Sequence, residues 1–154
     1  MSLTDQELTQ LVSDIANDPS RWEDQVSHDP EQRSYTLLQD DADVSVWLIC
    51  WGDGHDTGFH DHDVSAAAIT VIAGAVREDR LRLNGAPGRR TARAGETFTV
   101  PPNAIHRVQH TGDVPSVTIH AYSPPLVRTG AYEIAPDGEL RRESQDGSKE
   151  LVAA

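Results

Sequence analysis

The sequence predicts a small all-β fold, a barrel or sandwich, preceded by one or two N-terminal helices. Three observations predict it. From residue 35 onward, short β-branched runs alternate with clusters of turn-forming residues at close, even spacing. Apolar residues at helical spacing are confined to the first 26 positions. No alternation of strands with helical patterns follows, which excludes a doubly wound α/β sheet.

Taken in order, Thr4 followed by Glu7 fits a capping box. Leu8, Leu11, Val12 and Ile15 then recur at helical spacing as far as the Asn17-Asp18-Pro19 stop, so residues 4–17 are expected to form an amphipathic helix. A second short helix is expected over 20–26, with Ser20 as N-cap and Trp22 packing inward, before the His28-Asp29-Pro30 break. Strands are expected at 35–38, 44–51, 68–72, 75–83, 97–100, 107–110 and 114–122, separated by turns at 40–43, 52–54, 84–88, 101–103 and 111–112. The run from Arg77 to Leu83 carries so much charge that it reads as an edge strand or one with a solvated face. The chain thus divides into a helical segment at 1–34 packed on a barrel at 35–135, with a polar hairpin or tail at 136–154, all within one domain.

Composition narrows the function. Among 154 residues, 13 Lys and Arg face 25 Asp and Glu, a net charge of −12 that repels nucleic acid and anionic membrane surfaces alike. No apolar run approaches membrane-spanning length and the N-terminus lacks the pattern of a signal peptide, so a cytoplasmic monomer is expected. Cys50 is the one cysteine, which excludes an intrachain disulfide and any cysteine-rich zinc site. Lying in the apolar run W-L-I-C-W, it reads as a small buried hydrophobe. A metal in this chain needs histidine or carboxylate ligands.

Six of the seven histidines fall between positions 55 and 120. His60 and His62 stand two apart, and on an extended strand such residues point to one face, where two imidazoles can converge on an ion. His106 is the best candidate for a third ligand, because Pro101 and Asn103 shape a tight approach to its strand. A bare H-x-H pair is also what two surface histidines beside Asp61 and Asp63 look like. The wider spacing bears on that choice. One stretch reads Gly54, five residues, His60, one, His62, four, Ala67, six, Gly74; another reads Gly95, five, Pro101, one, Asn103, two, His106, three, His110.

These two stretches resemble the paired motifs of the cupins, small jelly-roll-like β-barrels that hold a metal inside. Ala67 stands where cupins usually carry a glutamate ligand, so the resemblance implies a site of three histidines: His60, His62 and His106. The segments L-I-C-W-G-D-G-H-D-T-G-F-H-D-H, I-H-R-V and S-V-T-I-H-A-Y-S-P-P-L further resemble the cysteine dioxygenase family of thiol dioxygenases, over roughly residues 35–128. That family places a Ser-x-His-x-Tyr set beside its iron, and Thr118, His120 and Tyr122 occupy those positions. On one strand face a hydroxyl, an imidazole and a phenol can join in one hydrogen-bonded line. Alternatively, His120 and Tyr122 form a buried pair that satisfies itself in the core.

What the resemblance implies is a protein that holds Fe(II) and oxidises a small thiol with O2 to its sulfinic acid, assisted by Tyr122. Two departures refine this. Ala67 replaces the cysteine that mammalian members cross-link to their tyrosine, so Tyr122 is expected to be a plain phenol. Tyr35 aligns with a substrate-side tyrosine, but Leu37 stands where the family carries a carboxylate-clamping arginine, and leucine cannot pair with a carboxylate. Arg33 and Arg128 are candidate replacements. The substrate is therefore cysteine, or a thiol or thione without that clamp, such as 3-mercaptopropionate, cysteamine or ergothioneine. A metal-binding cupin sensor without catalysis is the reading from another class. His55 and His110 are expected around the site or in loops, while Asp61 and Arg107 are expected to point away from the metal by strand alternation.

Overall fold

The computed structural model of the chain describes residues 2–82 and 84–146. One helix and eleven strands account for most of them: α1 (Asp5–Ala16), β1 (Ser34–Asp40), β2 (Ser45–Trp51), β3 (His60–Asp61), β4 (Ala66–Ala73), β5 (Ala75–Arg80), β6 (Gly88–Arg93), β7 (Thr97–Val100), β8 (His106–Thr111), β9 (Ser116–Ser123), β10 (Arg128–Ile134) and β11 (Leu140–Asp146). The strands form a five-stranded sheet in the order β1-β2-β9-β4-β7 and a six-stranded sheet in the order β11-β10-β3-β8-β5-β6. This is the expected small cupin-type barrel with its N-terminal helix. Among the described residues no helix is long and apolar enough to cross a membrane.

Helix α1 starts where the capping box places it. The Thr4 side chain accepts from the Glu7 N–H at 3.1 Å, and the Glu7 carboxylate accepts from the Thr4 N–H at 3.0 Å. Leu8, Val12 and Ile15 lie on one stripe and are fully buried. They pack on Val46, Leu48 and Cys50 of β2 and on Val117, Ile119 and Ala121 of β9. The alternate residues of the same strands point the other way. Ile49 and Trp51 join Ala67, Ile69, Val71, Phe98, Val100 and Tyr122 in a second cluster, completed by Val76, Ala92 and Val108 of the six-stranded sheet. One cluster therefore seats the helix and the other fills the barrel.

Several expectations need correction. Residues 20–26 form no α-helix; the segment instead carries two three-residue 3₁₀ helices, Pro19–Arg21 and Glu23–Gln25. Asp18 rather than Ser20 stands at the N-cap, and the Ser20 hydroxyl donates to the Asp18 carboxylate at 2.6 Å. Trp22 and Val26 are the apolar residues of the segment that reach the core, too few to form a stripe along which an α-helix could extend. The charged run beginning at Arg77 is not an edge: β5 pairs with both β6 and β8. The expectation for Leu83 lies outside the described residues, as does that for the tail beyond residue 146. Strands β6 and β10 were not expected; β3, implied by the spacing of His60 and His62, is only two residues long; and the C-terminal hairpin pairs β10 with β11, so its first strand lies within residues 35–135 and not in the tail.

Gly74 closes the tight turn between β4 and β5 at φ +70°, where a Cβ would meet Ser116 Oγ at 2.5 Å and the Pro115 carbonyl at 2.7 Å. Only glycine fits there, which gives the last residue of the first motif a purely steric reason. Helix α1 is expected to be part of the cooperative core. Leu8→Ala should cost about 2–5 kcal/mol in chemical denaturation, and a loss under about 1 kcal/mol would show that the helix merely rests on the sheet.

Candidate metal centre

Strand alternation and pairing register bring three imidazoles together. His60 lies on β3 and pairs directly with His106 of β8. His62 follows two residues on, just past the strand end, and all three rings are buried. Their ligand-type nitrogens lie within 4.8 Å of one another, with His60 Nε2 3.0 Å and His106 Nε2 3.4 Å from His62 Nε2.

The other ring nitrogens fix which lone pairs face inward. His60 Nδ1 is 2.9 Å from the Gly58 carbonyl, which can only accept, so Nδ1 carries the proton. His106 Nδ1 donates to Glu78 Oε2 at 2.8 Å. Burial disfavours the imidazolium and pushes the His106 pKa down to about 3, so the ring is neutral. Burial would raise Glu78, but the His106 N–H and Arg80 overcome it and bring the carboxyl down to about 2. A neutral His106 thus donates to an ionised Glu78, while Arg80 and Arg90 balance the carboxylate at 2.8 and 3.3 Å. Nitrogen lone pairs of His60 and His106 aimed into one pocket fit a divalent cation of borderline softness. A carboxylate behind a ligating histidine is the usual way its ring is oriented.

Strand β9 supplies the neighbouring polar line. Trp51 Nε1 donates to Thr118 Oγ1 at 2.9 Å, Thr118 Oγ1 lies 2.8 Å from His120 Nε2, and His120 Nδ1 lies 3.2 Å from the Tyr122 hydroxyl. The Thr118 oxygen accepts from the indole N–H and is also within hydrogen-bond distance of His120 Nε2. Tyr122 ends this line, its hydroxyl 3.2 Å from His120 Nδ1. Its ring meets His62 edge-on, with centroids 5.0 Å apart, which sets the phenol beside the three histidines.

The remaining expected residues fall as follows. Ala67 faces Tyr122 directly across β4 and β9, and Cys50 is buried on the helix side, so no thiol adjoins the phenol. Tyr35 and Leu37 of β1 pair with Ile49 and Trp47, on the barrel-facing rows of β2, and both are exposed. Arg33 precedes them on that face, buried, with its guanidinium 5.3 Å from the centre of the Trp51 ring. Arg128 is exposed and donates to Ser144 at 3.2 Å. His55 accepts from the Gly52 N–H at 2.8 Å, and His110 bonds Ser116 at 2.8 Å. Arg107 pairs with Asp56, and Asp61 turns its carboxylate to Tyr132 and Arg142.

Sequence reasoning missed Glu78 and Trp51. Both signals were present: an acid in a strand whose alternate residues face the barrel, and an indole two residues after Ile49 on an inward row.

Comparison with known proteins bears on this arrangement. The family model of cysteine dioxygenase type I matches residues 2–135. Cysteine dioxygenase type 1 of Danio rerio is 25% identical over 136 residues, covering 81% of this chain and 68% of that protein. The Homo sapiens enzyme of the same name is 22% identical over 138 residues, covering 83% and 69%. Among solved structures, a protein from Thermus thermophilus aligns with a TM-score of 0.60 at 16% identity, over 67% of this chain and 93% of its own. A cupin superfamily protein from Desulfitobacterium hafniense gives 0.58 at 12% identity, over 67% and 87%. The structural likenesses establish the cupin fold.

Glu78→Gln keeps the shape of the acid and removes its charge. It is expected to weaken binding of a divalent ion by about 10–100-fold in competition with a chelator, and unchanged affinity would show that Glu78 only neutralises Arg80 and Arg90.

Proposed function

The chain belongs to the cysteine dioxygenase type I family, and from that premise we propose that it is an iron(II)-dependent thiol dioxygenase. It converts a small thiol, cysteine or a relative of it, and O2 into the sulfinic acid, R–SH + O2 → R–SO2H, with both oxygen atoms from one O2. The observation that carries the reading is the juxtaposition of three convergent imidazoles with a phenol held by its own hydrogen-bonded line. A protein that merely stored a metal has no use for that phenol.

His60, His62 and His106 would hold the ion. All three are uncharged donors, a set that leaves the ion its full charge and open positions for two further ligands. Iron(II), when bound, supplies the centre at which thiol and O2 meet, and it acidifies the thiol. The rest is the work of the chain's own residues. Glu78 holds the His106 ring in orientation from behind. Trp51, Thr118 and His120 fix the phenol, so that Tyr122 donates a hydrogen bond to the reacting sulfur or oxygen atoms without first reorganising. Ile69, Val71 and Phe98, packed beside them, keep the interior apolar.

Tyr35 and Leu37 are the residues of β1 assigned to the substrate. Tyr35 is held edge-on against Trp47 with ring centroids 5.7 Å apart, and the neighbouring Leu37 offers an aliphatic surface. Leucine forgoes the paired charge-assisted hydrogen bonds an arginine gives a carboxylate, worth about 2–4 kcal/mol together.

Oxygen uptake by the iron-loaded protein, measured against a panel of thiols, tests the reading. Thiol-dependent uptake of one O2 per sulfinate formed is expected, and its absence with every thiol would refute the assignment. Tyr122→Phe should retain iron while turnover drops about 10–100-fold; loss of iron in that variant would place Tyr122 among the ligands. Leu37→Arg should raise kcat/KM for cysteine by at least about tenfold, the equivalent of 1.4 kcal/mol. No gain would mean that another residue already holds the carboxylate.

A further inference from the structure

His106 takes its orientation directly from a buried carboxylate, whereas His60 takes its own from the Gly58 carbonyl, an atom of the chain just ahead of β3. The geometry of His60 and His62 therefore depends on how firmly that short piece of backbone is held. Its ladder is thin: one residue pair joins β3 to β8 and two join it to β10. A two-residue strand so weakly paired does not by itself pin two rings to a common point.

Asp61, between the two histidines, points to the opposite face and is buried. Its carboxylate accepts from the Asp63 N–H at 2.9 Å, the Gly130 N–H at 3.2 Å, the Tyr132 hydroxyl, Arg142 Nε at 2.9 Å and Arg142 Nη2 at 3.1 Å. The two Arg142 contacts go to different carboxylate oxygens, the bidentate form that fixes orientation as well as distance. Arg142 sits opposite Tyr132 in the β10–β11 hairpin, and its guanidinium lies against Gly130, where any Cβ would collide with it. The Asp63 N–H ties down the residue after His62, which turns the chain at φ +55°. The side chains of the C-terminal hairpin thus grip β3 from its outer face. Arg142 also lies beyond residue 135, where the match to the family model ends.

We propose that Arg142 is a positioning residue for the metal centre: through Asp61 it holds the backbone from His60 to Asp63 so that the rings of His60 and His62 converge with His106. The inference rests on the reading that these three histidines bind a metal. It gives the C-terminal hairpin a role at a site to which it contributes no ligand.

The test is a titration of the metal-free, full-length protein with cobalt(II), which reports affinity by competition with a chelator and ligand geometry by its visible spectrum. Arg142→Gln is expected to weaken binding by about 10–100-fold, in the range for groups that orient metal ligands, and to alter the spectrum of the bound ion. Arg142→Lys, which keeps the charge but not the fork, should recover part of the loss. The neighbouring Arg141→Ala should match the unmodified protein in both measurements. A folded Arg142→Gln protein with unaltered affinity and spectrum overturns the proposal. If Arg142→Gln does not fold, Tyr132→Phe decides, since it removes one donor to Asp61 without touching charge: weaker cobalt binding supports the clasp and unchanged binding overturns it. Failure of the unmodified protein to bind cobalt would instead overturn the three-histidine reading, leaving the two failures distinct.

Discussion

Strand β9 is buried along both faces over its whole length, so none of its side chains can turn to water for a partner. Val117, Ile119 and Ala121 meet the helix, while Thr118, His120 and Tyr122 face the barrel. A shift of one residue in its pairing with β2 and β4 would press three polar groups against α1 and three aliphatic ones against the histidines. Register is therefore specified by stability and by chemistry at once. The polar line is tolerated because each of its members is satisfied, down to the indole of Trp51 at its far end.

Charge is layered around the barrel in a similar way. The three rings converge on the barrel side, and two buried carboxylates stand outside them. Glu78 stands behind His106, and Asp61 lies on the outer face of β3. Arginines from β5, β6 and β11 cover those carboxylates in turn. An ionised acid in such a position costs desolvation energy unless it is met by several donors, and both acids here are. The result inside a chain of net charge −12 is a pocket lined first by imidazole rings, with the carboxylates and their arginines behind them.

Much of this was legible in the sequence, and what was not has a physical reason. Helix α1 declared itself through a capping box and an apolar stripe, and β2, β4 and β9 through continuous β-branched runs, because both of their faces are buried. His60 and His62, like Thr118, His120 and Tyr122, were marked by two-residue spacing, which survives translation into strand geometry, and His106 by the Pro101 and Asn103 turn before its strand. Strand β3 left no apolar signature because its inward residue is a histidine and its outward one an aspartate. Strand β6, G-R-R-T-A-R, looks like a turn followed by surface. Its arginines are drawn into the sheet by Glu78 and Asp79 across the ladder, a pairing between residues more than nine positions apart. The same pairing hid Glu78, which in isolation looks like one more surface acid.

Cys50 gains a different meaning from its place in the fold. A catalyst that adds oxygen to thiols carries a hazard in its own sulfur, since successive oxidation of a cysteine ends in acids that the protein cannot reduce. The single thiol of this chain lies on β2, one residue from Ile49 and Trp51, which line the barrel, yet it points the other way, into the apolar layer under α1. The sheet itself stands between it and the histidines. Alternation along one strand thus sets Cys50 apart from the histidines, and its closeness in sequence to the barrel wall is no measure of its exposure to the barrel interior.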